Sequence, residues 1–139
     1  MSKTVLLLEA SDLGREVLTA LLRQHGYRVV SAPDGAAVPA LAEQERPDLV
    51  LLDLATARGD SLDATRRLKA QPALRHIPVI AVSGRDDPDD AARALAAGCN
   101  ACIGKPMPLA DFLTLIASYL GRAGTAPLGP AANEAGAPP

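Results

Sequence analysis

Short apolar runs closed by polar groups recur along the chain. Val5-Leu6-Leu7-Leu8 ends in Glu9, Leu49-Val50-Leu51-Leu52 in Asp53, and Val79-Ile80-Ala81-Val82 in Ser83-Gly84. A shorter segment, Ala101-Cys102-Ile103-Gly104, ends in Lys105-Pro106. Apolar runs of this length without alternation fit strands covered on both faces. The pattern predicts strands over 4–8, 27–30, 48–52, 78–82 and 101–104.

The stretches between them carry helical periodicity. Over about 12–25, Leu13, Val17 and Leu21 recur at helical spacing, with Leu18 and Leu22 on adjoining faces. Gly26 is placed to end that helix in a left-handed turn. Asp34-Gly35 opens a second helix through about Gln44, and Pro39 inside it removes a donor, so it kinks the helix or delays its start. Asp60-Ser61 can cap a third helix over about 62–70, which Pro72 stops. Asp87 can cap a fourth, with Pro88 at its first position and Asp89 and Asp90 set against the dipole; Gly98 ends it after Ala97. Pro108 opens the last helix, whose stripe is Leu109, Phe112, Leu113, Ile116 and Leu120 and which Gly121 closes. Strands alternating with helices in this way predict an α/β fold, a parallel sheet with helices on both faces. From about residue 122 the chain is rich in Gly, Ala and Pro and nearly lacks bulky apolar groups. Such a segment cannot offset its own ordering entropy. The expected division is one folded domain over 1–121 and a flexible tail over 122–139.

Composition narrows the function. A chain of 139 residues suits a single core. A net charge of −2 and 2% aromatic residues argue against a nucleic-acid partner. No apolar run reaches the ~18 residues of a membrane helix, and no export signal is visible at the start. The expectation is a cytoplasmic protein with reduced thiols.

In an open parallel sheet the strand ends converge on one edge, where ligands bind. Glu9, Asp53, Ser83 and Lys105 would then meet in one shallow cleft. Taken singly, each has an ordinary reading. An Asp ending a strand can cap the next loop, Ser83-Gly84 can be a turn, and Lys105-Pro106 can be a surface loop. The C-x-x-C formed by Cys99 and Cys102 follows a helix C-terminus, the wrong dipole end for a redox pair, and no histidine stands at ligand-like spacing. These cysteines are expected to be small core residues. His25 and His76 flank turns and are expected to be exposed.

An acid after strand one, Asp53 ending strand three, Ser83 ending strand four and Lys105-Pro106 after strand five together resemble the receiver domain of bacterial response regulators. The resemblance covers about residues 3–121. It implies a doubly wound (βα)5 fold, flavodoxin-like, with strand order 2-1-3-4-5. It also implies a signalling module, not an enzyme, in a phosphorelay. Asp53 would be the phosphoacceptor, taking a phosphoryl group from a histidine kinase or a histidine phosphotransfer protein. Ser83 and Lys105 would contact phosphoryl oxygens, and Pro106 would follow a cis peptide bond. Mg²⁺ would be held by Glu9, Asp53 and the backbone carbonyl of Ala55. No output domain follows, so output would be contact with another protein.

The chain also departs from that family's pattern. Two adjacent acids are usual after strand one, and here they align with Glu9 and Ala10, which predicts weak Mg²⁺ binding. Ser61 stands where a glycine is frequent. Cys102 occupies the aromatic switch position, and a thiol cannot swing a ring into a pocket. Two alternatives follow. One is a pseudo-receiver that binds partners without phosphorylation. The other is a small hydrolase with Asp53 as nucleophile; it lacks the second acid two residues on that such phosphatases use as general acid.

Overall fold

A computed structural model of the protein describes residues 2–55, 60–84, 88–104 and 107–121. The expected tail over 122–139, the Asp87 cap and the Lys105-Pro106 step lie outside the described residues. Five parallel strands form one sheet: β1 (Thr4–Leu8), β2 (Arg28–Ser31), β3 (Leu49–Asp53), β4 (Val79–Ser83) and β5 (Ala101–Gly104). Their order is β2-β1-β3-β4-β5, as the resemblance implied. The helices are α1 (Asp12–Gln24), α2 (Val38–Glu45), α3 (Asp60–Ala70), α4 (Pro88–Ala97) and α5 (Leu109–Leu120).

Successive side chains of a strand point to opposite faces, so an apolar run feeds two cores. Leu6, Leu8, Val50, Leu52, Val79 and Ala81 pack with Val38, Ala42, Ala64, Leu68 and Ala94 of α2, α3 and α4. Val5, Leu7, Leu49, Leu51, Ile80 and Val82 pack with Leu22 of α1 and with Phe112, Ile116 and Leu120 of α5. Fully burying one such side chain stabilises the fold by ~1.5–3 kcal/mol. β1, β3 and β4 are buried along their whole length, which is why their sequences do not alternate.

Several boundaries differ from the sequence pattern for local reasons. Pro39 delays α2: Gly35–Ala37 form a 3-10 turn, capped by the Asp34 carboxylate accepting from the Ala37 amide at 2.9 Å, and the α-helix begins at Val38. Proline is tolerated there because first-turn amides have no partner inside the helix. β2 lies one residue later than expected, β3 includes Asp53 itself and β4 includes Ser83. Gly26 has φ 88° after α1, the left-handed turn expected there, and Gly98, which ends α4 as expected, also has a positive φ of 111°.

Two helix faces need correction. Leu18, Leu21 and Leu22 turn α1 toward the sheet, whereas Leu13 and Val17 are 68% and 56% exposed. Leu109, assigned to the stripe of α5, is also exposed. The cysteines behave as core residues: Cys99 is buried and Cys102 packs against the same core. Burial pushes the Cys99 thiol above its ordinary pKa, against smaller opposing effects from a Thr65 hydrogen bond and from Lys69. His25 and His76 are exposed, as their turn positions implied.

Lys69, near the end of α3, ties down the opposite edge of the sheet from the strand ends. Its Nζ donates to the carbonyls of Ile77 (2.8 Å) and Arg75 (3.2 Å) and to Asn100 Oδ1 (3.1 Å). Asn100 in turn accepts from the Val79 amide at 2.9 Å, and the Lys69 stem lies where a Cβ on Gly98 would be. Burial lowers the Lys69 pKa, the mark of an ammonium held partly out of water. Lys69→Met keeps the stem and removes three donors. It should lower stability by about 1–3 kcal/mol, read as a shift of the urea midpoint at unchanged m-value.

Candidate functional site

The C-terminal ends of β1, β3 and β4 are neighbours in the sheet, and each carries a polar side chain that the fold buries. Glu9, Asp53 and Ser83 are 7%, 4% and 0% exposed. A buried carboxylate needs hydrogen bonds or charge to offset its lost hydration. Asp53 obtains them from the backbone of both flanking connections. Its Oδ2 accepts from the Ala10 amide at 3.1 Å and its Oδ1 from the Ala55 amide at 2.9 Å. The two bonds fix the plane of the carboxylate at the strand end. Its backbone carbonyl accepts from the Ser61 hydroxyl at 2.6 Å, which joins the strand end to the first turn of α3.

Glu9 follows β1 and lies against the start of α1. A Cβ at Gly14 would stand 2.6 Å from Glu9 Oε1, so the glycine leaves room for the carboxylate. The first turn of a helix is the positive end of its dipole and suits an anion. Ala10 carries no second acid, and its side chain is exposed beside the amide that holds Asp53. Asp12, two residues on, is nearly fully exposed and pairs with Arg15 at 2.6 Å. The oxygen donors gathered here, two carboxylates, suit a hard divalent cation better than a soft one.

Ser83 is directed to α4. Its hydroxyl donates to Asp90 Oδ2 at 2.8 Å, and Asp90 Oδ1 pairs with Arg93 one turn along. Cys102 lies on β5 beside Ala81 of β4 and is half-buried against the core under α2, α3 and α4. Lys105 and Pro106 lie outside the described residues. The structure therefore brings Glu9, Asp53, Ala55 and Ser83 to one edge and sets Cys102 one strand away. Sequence reasoning missed the uses of Ser61, Gly14 and Asp90. A serine at a position where the family often has glycine was the only signal for Ser61, and Asp90 looked like an ordinary first-turn acid.

An open parallel sheet of order 2-1-3-4-5 with acids and a hydroxyl at its C-terminal edge is the architecture of a receiver domain of two-component signalling. A model of the response regulator receiver domain matches residues 5–117, and the chain belongs to that family. It is 37% identical over 123 residues to the polar-differentiation response regulator DivK of Brucella anthropi, covering 88% of this chain and all of that protein. The DivK of Brucella ovis is 36% identical with the same coverage. Among solved structures, the chain is similar to the receiver domain of sensor histidine kinase PA1611 from Pseudomonas aeruginosa PAO1, which carries a magnesium ion in its active-site cleft. The TM-score is 0.79 and the identity 31%, over 87% of this chain and 99% of that one. The phosphorylated cyanobacterial phytochrome response regulator RcpA matches with a TM-score of 0.73 and 26% identity, over 92% of this chain and all of that one. No helix among the described residues is long and apolar enough to cross a membrane.

Ser61→Ala should cost about 1–2 kcal/mol, because the Asp53 carbonyl loses its hydroxyl donor in a buried place. Thermal unfolding of the two proteins measures it, and the family's frequent residue, Ser61→Gly, should cost more because it also weakens the helix.

Proposed function

We propose that this receiver accepts a phosphoryl group on Asp53 from a histidine kinase or a histidine phosphotransfer protein and signals through contact with another protein. The observation that carries the reading is the Asp53 carboxylate, buried at the end of a central strand and held by the Ala10 and Ala55 amides. A carboxylate oxygen of Asp53 attacks phosphorus, the O–P bond forms, and the P–N bond of phosphohistidine breaks. The imidazole leaves with the electron pair, and the product is an acyl phosphate. Lys105 meets one phosphoryl oxygen as a point charge, and Ser83 donates to another. Glu9, Asp53 and the Ala55 carbonyl are the groups that would hold Mg²⁺, which when bound neutralises charge around the transferring group. Cys102, in place of an aromatic ring, makes a weak relay to the surface.

Other features agree with this reading. Leu13 and Val17 are exposed on α1, which starts just beyond Glu9 and Ala10, and they offer an apolar seat to a helix bearing the donor histidine. Cys99 and Cys102, packed as small core residues, agree with a reducing compartment such as the cytoplasm. A second reading, a pseudo-receiver that binds partners without phosphorylation, rests on Ala10, which leaves the metal site one carboxylate short.

Intact-mass measurement after incubation with acetyl phosphate and Mg²⁺ separates the two. The wild type should gain one phosphoryl mass and Asp53→Asn should not. No gain in either protein leaves the pseudo-receiver as the account. Ala10→Asp should tighten Mg²⁺ by roughly 1–3 kcal/mol by calorimetric titration, since a carboxylate joins a site already lined by acids. Gly14→Ala should do the reverse. Its methyl must displace the Glu9 carboxylate, so Mg²⁺ should bind more weakly, while metal-free stability holds or rises because Ala exceeds Gly in helix propensity by about 1 kcal/mol.

A further inference from the structure

Ser83 is fully buried, and a serine hydroxyl has one proton to donate. That proton goes to Asp90 Oδ2 at 2.8 Å. Asp90 sits in the first turn of α4, on the third residue of the helix, and its second oxygen is oriented by Arg93. A charged acceptor makes this a stronger bond than one between neutral groups. If the proton serves Asp90, it cannot also serve a phosphoryl oxygen on Asp53.

We propose that Asp90 is a positioning residue that latches the Ser83 hydroxyl onto α4, so that phosphorylation must break the Ser83–Asp90 bond before Ser83 can engage the phosphoryl group. The proposal rests on Asp53 being the phosphoacceptor and adds the element that opposes its switch. Competition between the Asp90 carboxylate and a phosphoryl oxygen for the Ser83 proton makes a two-state device. In the first state the end of β4 is tied to the first turn of α4. In the second, Ser83 donates toward Asp53, and Asp90 is released into the cleft of about 290 Å³ that it lines with Arg93 of α4 and with Leu54, Ser61 and Leu62 across from them. Ser61, which lines the cleft opposite Asp90, also bonds the Asp53 carbonyl and so links the cleft wall to the strand that carries the phosphoacceptor. The latch biases the unmodified protein to the off state, and release of Asp90 hands the signal to α4. This output does not depend on an aromatic ring at Cys102.

The test uses beryllofluoride with Mg²⁺ as phosphoryl mimic, followed by amide chemical shifts of the full chain. Wild type, Asp90→Ala, Asp90→Asn, Ser83→Ala and the Ser83→Ala/Asp90→Ala double variant are compared. Asp90→Ala should bind the mimic about three- to ten-fold more tightly, the scale of one charge-assisted hydrogen bond no longer opposing the switch. In the metal-free protein, the same variant should already move the Ser83 and α4 amides toward their mimic-bound positions. Asp90→Asn keeps an oxygen acceptor and should fall between wild type and alanine. In the Ser83→Ala background, Asp90→Ala should have no effect on affinity. An equal gain with and without Ser83, or no gain at all in protein that binds the mimic, overturns the latch and leaves the phosphoacceptor reading intact. Absence of mimic binding in every variant overturns both.

Discussion

A carboxylate removed from water loses several kcal/mol of hydration unless hydrogen bonds or opposite charge replace it. Asp53, 4% exposed at the end of β3, imposes that requirement on everything around it. The parallel sheet meets it. Because β1 lies beside β3, the turn after β1 reaches Asp53 with the Ala10 amide, and the connection that leaves β3 supplies the Ala55 amide. The acid can stay buried in a fixed orientation because its partners are backbone groups positioned by strand pairing. Glu9 is held near it by a different device, the first turn of α1 and the space left at Gly14.

The two edges of the sheet are built differently. At the edge away from the site, Lys69 and Asn100 join α3, the segment before β4 and the start of β5 through several bonds to carbonyls and an amide. Two of these bonds, to the Ile77 carbonyl and from the Val79 amide, are partly buried, so losing either costs more than losing one in open water. At the site edge, among the described residues, the Ala10 amide holds Asp53 and two hydroxyls add further cross-links. Ser61 binds the Asp53 carbonyl and Ser83 binds Asp90. A hydroxyl can rotate to a new acceptor without backbone movement, so this edge can change state while the sheet does not.

Two departures from the family's usual residues fall at this edge. Ala10 removes charge that a cation would meet. Ser61 adds a bond that a glycine cannot make. A third, Cys102, lies on β5 beside Ala81 and packs against the core. The core beneath, with Leu6, Leu8, Val50 and Leu52 on one face and Val5, Leu7, Leu49 and Leu51 on the other, is unaffected by these changes. The fold therefore tolerates variation in the switch, since the packing that stabilises it lies elsewhere.

Local physics made much of this readable in the residues themselves. A strand covered on both faces must be apolar at every position, so β1, β3 and β4 were visible as runs, and the polar residue ending each run marked the sheet edge. Gly26, Gly98 and Pro39 act through their own backbone limits, and the turns and the late start of α2 followed from them. What required the tertiary structure was every choice between neighbours about 100° apart on a helix or far apart in sequence. Leu13 and Val17 share the spacing of Leu18, Leu21 and Leu22, and only the rotation of α1 against the sheet decides which set is buried. Asp60 meets the Gly35 amide, Lys69 meets Asn100 and Asp90 meets Ser83 because packing places those elements side by side. A hydrogen-bond partner is selected by distance in space, and spacing along the chain carries that information only within an element or its cap.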